Sequence, residues 1–553
     1  MLADRPSLPR THDVTNQPPP LANYDLYAAD AALRGAVDRF GARGREADLS
    51  GIGLLAGRPE TIALGFAANV HEPELRTHDR FGNRIDEVAF HPAYHELLKR
   101  AMAHGLHASS WRTPGPGAQV ARAAAFAIWS QVEAGHGCPI SMTHAALPAL
   151  RHAPELARDW EPAMLSTTYD PDLKALSEKR GVLVGMAMTE KQGGSDVRAN
   201  TTRAEPLSYL SGEYALTGHK WFCSAPMSDA FLVLAQAPRG LSCFLLPRVL
   251  PDGTRNAFAI QRLKDKLGNR SNASSEVEWN GTIAWLVGEE GRGVQTIVEM
   301  VNFTRLDCII GSAACMRQAF VQAAHHLSHR RAFGKRLVEH ALAQNVLADL
   351  AIESEAATLT FARVAAACDA APGDAREAGI KRIGTAIGKY WVCKRAPAMV
   401  AECLEALGGN GYVEESIMPR LLRESPLNGI WEGSGSVNAL DVLRVLARDP
   451  DAVDALMGEL ALAAGVDARY DRALATLRAE LADPADLEWR ARRVVERMAL
   501  AFQASLLLRF TDARVASAFC ATRLGDEGGY AYGTLPRGVD ATGIIARAWP
   551  MAR

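Results

Sequence analysis

The chain changes its hydrophobic period twice, and that switch limits the folds open to it more than any other feature. From Ala28 to about Ala157, apolar residues recur at helical spacing, as in "PAYHELLKRAMAHGL" and "GAQVARAAAFAIWSQVEAG". Near Gly181 the period shortens. "GVLVGMAMTE", "YALTGHKWFC", "AFLVLAQ", "GLSCFLLPR" and "SSEVEWNGTIAWLVG" are strand-like runs parted by the turn clusters "KQGGSD", "SGE", "PRG" and "PDG". A small antiparallel sheet or barrel is predicted there. After "GEEGRG" the helical period returns over 294–329, 343–368 and 375–407, then continues past the loop "ARDPDAV". The expected organisation is an arm and helical domain (1–180), a β-barrel domain (181–290), a second helical domain (291–447) and a C-terminal helical extension (448–553).

Bulk properties exclude several classes. At 553 residues the chain exceeds a single core. A net charge of −2 gives no global pull toward nucleic acid or anionic membrane, so any such surface is local. Nine cysteines stand singly with no C-x-x-C, which points to a reducing compartment and thiols used as small buried groups. The N-terminus "MLADRPSLPRTHDVTNQPPPLANYDLY" lacks the apolar stretch of a signal peptide and reads as an extended arm. No apolar run reaches the roughly 18 residues of a membrane span. The expected location is the cytoplasm.

Several short segments carry chemistry. "MAMTEKQGGSDVRANTT" (186–202) presents hydroxyls and free amides on one loop, able to hydrogen-bond a flavin edge and a pyrophosphate; a polar hairpin loop is the plainer reading. "GHKWFCSAPMSD" (218–229) sets adjacent aromatics and a serine at a strand end, suited to covering a flat ring system or to packing Trp221 or Phe222 into a core. "RRAFGKRLVEH" (330–340) joins two arginines to a Phe-Gly break, as a diphosphate clamp or as a solvated charge run. "LEALGGNGYVEES" ends a helix on paired glycines, as a C-cap or a close approach to a ligand. "IWEGSGSVNALDVLR" places one carboxylate, Glu432, between a bulky apolar pair and a helix entry, with Ser434 as a natural N-cap.

In order and spacing these segments resemble the acyl-CoA dehydrogenase family over about 160–447. "MTEKQGGSDV", "RRAFGKRLVEH", "LGGNGY" and "IWEGSG" match that family's Thr-Glu loop, Arg-x-x-Phe-Gly-Lys segment, Gly-Gly-Asn-Gly turn and Ile-Tyr-Glu-Gly-Thr segment. The resemblance implies a mainly α fold with a central β-barrel: a helical domain, the barrel and a four-helix bundle, with FAD bound between subunits of a homotetramer. It implies that Met188, Thr189 and Ser195, with Phe222, Cys223 and Ser224, line the flavin side. Trp431 and Ser434 join them. Arg330, Phe333, Gly408 and Gly409 reach the FAD of a neighbouring subunit. Glu432 stands where most members keep their base, with Arg423 nine residues before it; the alternative base position holds Thr304, and Arg305 beside it is expected at the substrate. Ala341 and Glu405 depart from glutamines of the family pattern, which puts adenine and pyrophosphate contacts there in doubt.

"TNQPPPLANYDLY", "CPISMTHAALPAL", "RLKDKLGNRSNASSEVEW" and the extra tail resemble one branch in particular, the flavoproteins of the adaptive response to DNA alkylation. That branch implies FAD, double-stranded DNA as a partner, protection of DNA, and weak acyl-CoA dehydrogenase activity. The alternative is a metabolic enzyme oxidising a short or branched acyl-CoA without DNA binding. Arg490, Arg493 and Arg497 fall on one face of a predicted helix, and Arg444 and Arg448 lie i, i+4 before it, forming a candidate phosphate-binding surface. Glu488 and Glu496 lie close enough to neutralise it. No metal site is expected: His325 and His329 stand one turn apart without a third ligand. "GIGLLAG" lacks the preceding strand of a dinucleotide fold, and no G-x-S-x-G elbow occurs.

Overall fold

The computed structural model describes residues 11–550, so the first ten residues of the arm lie outside the described residues. The rest of the arm threads across the far end of the longest helix, Gly293–His329. Asn16 is in a left-handed conformation and brackets Arg331, accepting from its N–H at 2.7 Å and donating to its carbonyl at 2.8 Å. Pro19 O meets His325 Nε2 at 2.8 Å.

Helices occupy most of 31–164, as the periodicity predicts, with one difference. Glu74–His78 and Arg84–Ala89 form an antiparallel hairpin inside this helical region. The signal was present in "THDRFGNRID", where Asp79 closes the turn by accepting from Phe81 and Asn83. The hairpin is locked to the sheet through buried Asp86, which accepts from Ile260 N at 2.8 Å.

The strand-like block forms a seven-stranded, mixed and mainly antiparallel sheet. Glu213–Ser224 runs against Ser274–Val287, and Ala230–Ala237 against Gly240–Pro247. Alternate residues Phe231, Val233, Phe244, Leu246, Val277 and Trp279 fill its own core. The sheet curls back on itself, and its circuit closes where Arg203–Ser208 joins Ala230–Ala237 through a single residue pair.

Gly293–His329, Ala341–Ala370 and Ala375–Ala406 pack all round as core helices. Gly388 sets their closest approach, since a Cβ there would lie 3.0 Å from Ile309 and Thr360. The C-terminal helices share this core rather than standing apart. They are keyed to it by buried ion pairs: Arg363 forks onto Glu377 (2.7 Å) and Glu459 (3.0 Å), and Glu353 takes both Arg395 and Arg523. All nine cysteines are buried and unpaired, as their scatter implied. No helix among the described residues is long and apolar enough to cross a membrane.

Candidate active site

Glu432 lies between the turn Leu427–Gly429 and the helix Gly435–Arg448, in left-handed backbone with φ 58°. Thr304, from the middle of the long helix, donates its hydroxyl to Glu432 Oε2 at 2.8 Å. Burial pushes the Glu432 carboxyl above the ordinary range; the Thr304 bond and the charges of Lys389 and Arg305 pull in the other direction without cancelling it. Burial raises the thiols of Cys138 and Cys308, and the charge of Glu432 adds to both.

Three polar side chains fix this segment. Arg305 Nε donates to Glu432 O at 3.0 Å, Lys389 Nζ donates to the carbonyls of Trp431 and Gly433, and Asn438 Nδ2 donates to Gly433 O at 2.7 Å. Arg305 also donates to Asp441, at 2.8 Å, and Asp441 takes Arg382 and Arg444 too. Burial alone would raise the Asp441 carboxyl, yet its arginines hold it below the usual range. The guanidinium of Arg305, expected at the substrate, thus holds the Glu432 loop through Nε and Asp441 through Nη1. Arg423 pairs with Glu414 at 2.6 Å. Ser434 is the N-cap residue by position, yet its side chain makes no capping bond.

The loop 188–202 is anchored by its glutamate. Glu190 takes Lys220 Nζ at 2.8 Å in a fully buried pair and accepts from Thr201 N and Thr202 N. The pairing holds Glu190 below the carboxylate range despite its desolvation. Trp221 N reaches Thr189 O at 2.8 Å, which joins this loop to the strand end. Met188 and Thr189 are half-buried there, and Ser195 is exposed beyond Gly193, whose φ of 137° faces open space. Neither aromatic enters the sheet core: Trp221 is half-buried under Lys264 Nζ, 3.2 Å from its ring centre, and Phe222 is 49% exposed. Ser224 Oγ lies 3.5 Å from Ser274 Oγ, which holds the end of the strand against its neighbour. Cys223 differs from expectation. Its thiol is sealed in the sheet core, which leaves only its main chain for a ligand.

The segments expected at a neighbouring subunit's cofactor are exposed. Phe333 and Gly334, both at positive φ, form the tip of a small hairpin, and the Phe333 ring is 94% exposed. Gly408 takes the left-handed position after the helix Ala375–Ala406, as its C-cap reading required, and Gly409 is exposed beside it. Arg330 is partly used by its own chain, donating to Asn16 O at 2.7 Å.

The surface arginines are largely paired, though not by the predicted partners. Arg493 and Arg497 share Glu480 rather than Glu488 or Glu496, and Arg490 folds back on Asp483 and Ala485. Arg444 joins Asp441, and Arg448 is exposed. His325 contacts the arm and His329 the carbonyl of His325; no metal-binding group occurs among the described residues.

Lys389, Asn438 and Asp441 were not singled out from the sequence. The available signal was a lone lysine in the otherwise buried helical run "IGTAIGKYWVC".

These residues fit FAD. Hydroxyls and exposed amides along 189–195 and Ser224 suit its polar edge, and Phe222 offers a half-exposed ring with Lys264 Nζ 4.7 Å from its centre. The buried Asn272 Oδ1 beside Cys138 lacks a protein partner.

Comparison with known proteins covers most of the chain. The adaptive response protein AidB N-terminal domain matches residues 16–171, the acyl-CoA dehydrogenase middle domain 185–282, and the acyl-CoA dehydrogenase C-terminal domain 291–447. The putative acyl-CoA dehydrogenase AidB of Escherichia coli (strain K12) is 47% identical over 94% of this chain and 96% of its own. The crystal structure of Caenorhabditis elegans ACDH-11 in complex with C11-CoA aligns with a TM-score of 0.86 at 26% identity, over 95% of this chain and 96% of that one. A structure described as Bd2924 apo-form aligns with a TM-score of 0.82 at 28% identity, over 90% and 100%. The chain belongs to the acyl-CoA dehydrogenase family, FAD-dependent oxidoreductases acting on CH–CH bonds. Its N-terminal domain and its near full-length identity to the E. coli protein put it in the AidB branch of that family.

Proposed function

We propose that Glu432 is the base of an acyl thioester dehydrogenation. The observation that carries this is a desolvated carboxyl, raised in pKa, held by Thr304 in a conformation that nothing in ordinary helix entry requires. Such a carboxyl is poised nearer neutral pH, where a base is useful. Glu432 takes the α-proton as the Cα–H bond breaks, while the β-hydrogen leaves with its electron pair and a Cα–Cβ double bond forms. Bound FAD supplies the acceptor for that hydride. Arg305 and Lys389 hold the base, Thr304 orients it, and Trp431 walls the site beside it. The ACDH-11 structure, described with C11-CoA, supports an acyl-CoA as the substrate class. The test is exchange of the α-hydrogen in D2O, followed by NMR on an acyl-CoA. Wild type is expected to exchange it and E432Q to leave it in place; exchange by E432Q at the wild-type rate removes Glu432 from the role.

A second reading, binding of double-stranded DNA with protection against alkylation, rests on relatives named for the adaptive response and on local charge. Arg305, Arg382 and Arg444 share one carboxylate, Asp441, and Arg493 and Arg497 share Glu480, so each cluster keeps positive charge in excess. Arg448 adds to it. The exposed Phe333, Leu342 and Tyr412 support assembly into a homotetramer, with the cofactor shared between copies. A duplex titration at rising salt tests the DNA reading.

A further inference from the structure

Three successive carbonyls around the base are held by side chains from the helices behind it. Trp431 O accepts from Lys389 Nζ at 2.7 Å, Glu432 O from Arg305 Nε at 3.0 Å, and Gly433 O from Lys389 and Asn438. The two cations are not equivalent. Arg305 has a carboxylate partner, Asp441, which it shares with Arg382 and Arg444. Lys389 is 1% exposed and pairs with no carboxylate among the described residues, so its ammonium is solvated by the two main-chain carbonyls that flank Glu432. Burying a cation this way is costly. A left-handed non-glycine residue adds strain of its own.

We propose that Lys389 is a positioning residue for the base: its ammonium bridges the carbonyls on either side of Glu432 and holds that residue in the left-handed conformation that aims its carboxyl at Thr304 and the reacting thioester. This rests on the reading of Glu432 as the base. Lys389 also acts through space, because its charge favours the carboxylate form of Glu432. The other groups that act on that carboxylate are Thr304, by its hydrogen bond, and Arg305, Cys308 and Cys138, through their charges.

Two measurements on the FAD-loaded full chain test it. The first needs no turnover: a water-soluble carbodiimide labels the protonated carboxyl, and mass spectrometry of the peptide holding residue 432 follows labelling against pH. In K389M the midpoint should rise by about one pH unit, and K389R should restore it. The second is flavin reduction by an acyl-CoA, where K389M should lower kcat about 100-fold with KM little changed, the mark of misplaced chemistry rather than lost binding. A merely structural lysine would move neither the midpoint nor the balance between kcat and KM. K389Q keeps a donor without the charge; if K389M does not fold, a K389Q midpoint equal to wild type overturns the proposal. A folded K389M with an unshifted midpoint and kcat within about twofold also overturns it. Failure of the base reading is separate: it shows as full reduction of the flavin in E432Q, while the labelling midpoint still reports whether Lys389 governs residue 432.

Discussion

Thr304 donates its hydroxyl to Glu432 Oε2 at 2.8 Å across 128 positions of sequence. The two positions that the family resemblance offers for a base are thus in contact: one holds a carboxylate, and the other holds a donor that favours its ionised form. The bond favours the ionised form, so T304V should raise the Glu432 pKa further. The acid limb of kcat/KM should move to higher pH by about one unit, equivalent to about 1.4 kcal/mol. An unmoved limb in T304V would show that the bond does not reach the chemistry.

The raised carboxyl has a stability consequence with the reverse of the usual carboxylate sign. The folded protein favours the neutral form of Glu432, so its contribution is fully present below the unfolded pKa and is lost as pH climbs through the higher folded pKa. Replacing Glu432 with Gln, which keeps an acceptor for Thr304, should stabilise the protein at pH 8 by about 1 kcal/mol and leave it unchanged near pH 4. Thermal melts of the two proteins at both pH values check this.

Arg363 ties the extension to the bundle through Glu377 and Glu459, with Arg509 on the same Glu459. R363M leaves two partly buried carboxylates short of a partner. The expected cost is about 3 kcal/mol, together with faster proteolysis between the helices Gly435–Arg448 and Pro450–Ala461. A melt and a cleavage pattern identical to wild type would show that the extension docks by its apolar contacts alone.

If duplex DNA is a ligand, the two clusters of excess positive charge should carry part of it. R493E together with R497E should weaken binding and flatten its salt dependence by roughly one to two phosphate contacts, with flavin content unchanged. A double variant that binds as wild type does, at every salt concentration, would place the DNA elsewhere.

Much of the fold was legible because period is a local property. The switch from 3.6 to 2 near Gly181 and back after Gly291 shows in apolar spacing alone, and the paired glycines after Leu407 announced a helix end. The hairpin at 74–89 was hidden by its helical surroundings, although Asp79 and Gly82 marked its turn. Glu432 was legible as a carboxylate in an odd place, but its support was not. Lys389, Asn438 and Asp441 lie 43 residues before, 6 after and 9 after Glu432, and only packing of the helix Ala375–Ala406 against the Glu432 loop brings the lysine beneath it. The hold of Arg305 on the Glu432 loop is hidden for the same reason: sequence gives its neighbour on the helix, not the carbonyl it holds 127 positions away. Charge pairing on the extension was misread because Glu480 sits on a different helix from Arg493 and Arg497.

The central claim is that Glu432 removes the α-proton of an acyl thioester. Anaerobic flavin absorbance, recorded as a panel of acyl-CoAs is added to wild type and to E432Q, tests it most directly. The account predicts that at least one acyl-CoA bleaches the wild-type flavin, and that E432Q binds FAD equally but keeps its absorbance. Bleaching of E432Q at the wild-type rate, or an unbleached wild type across the whole panel, would contradict it.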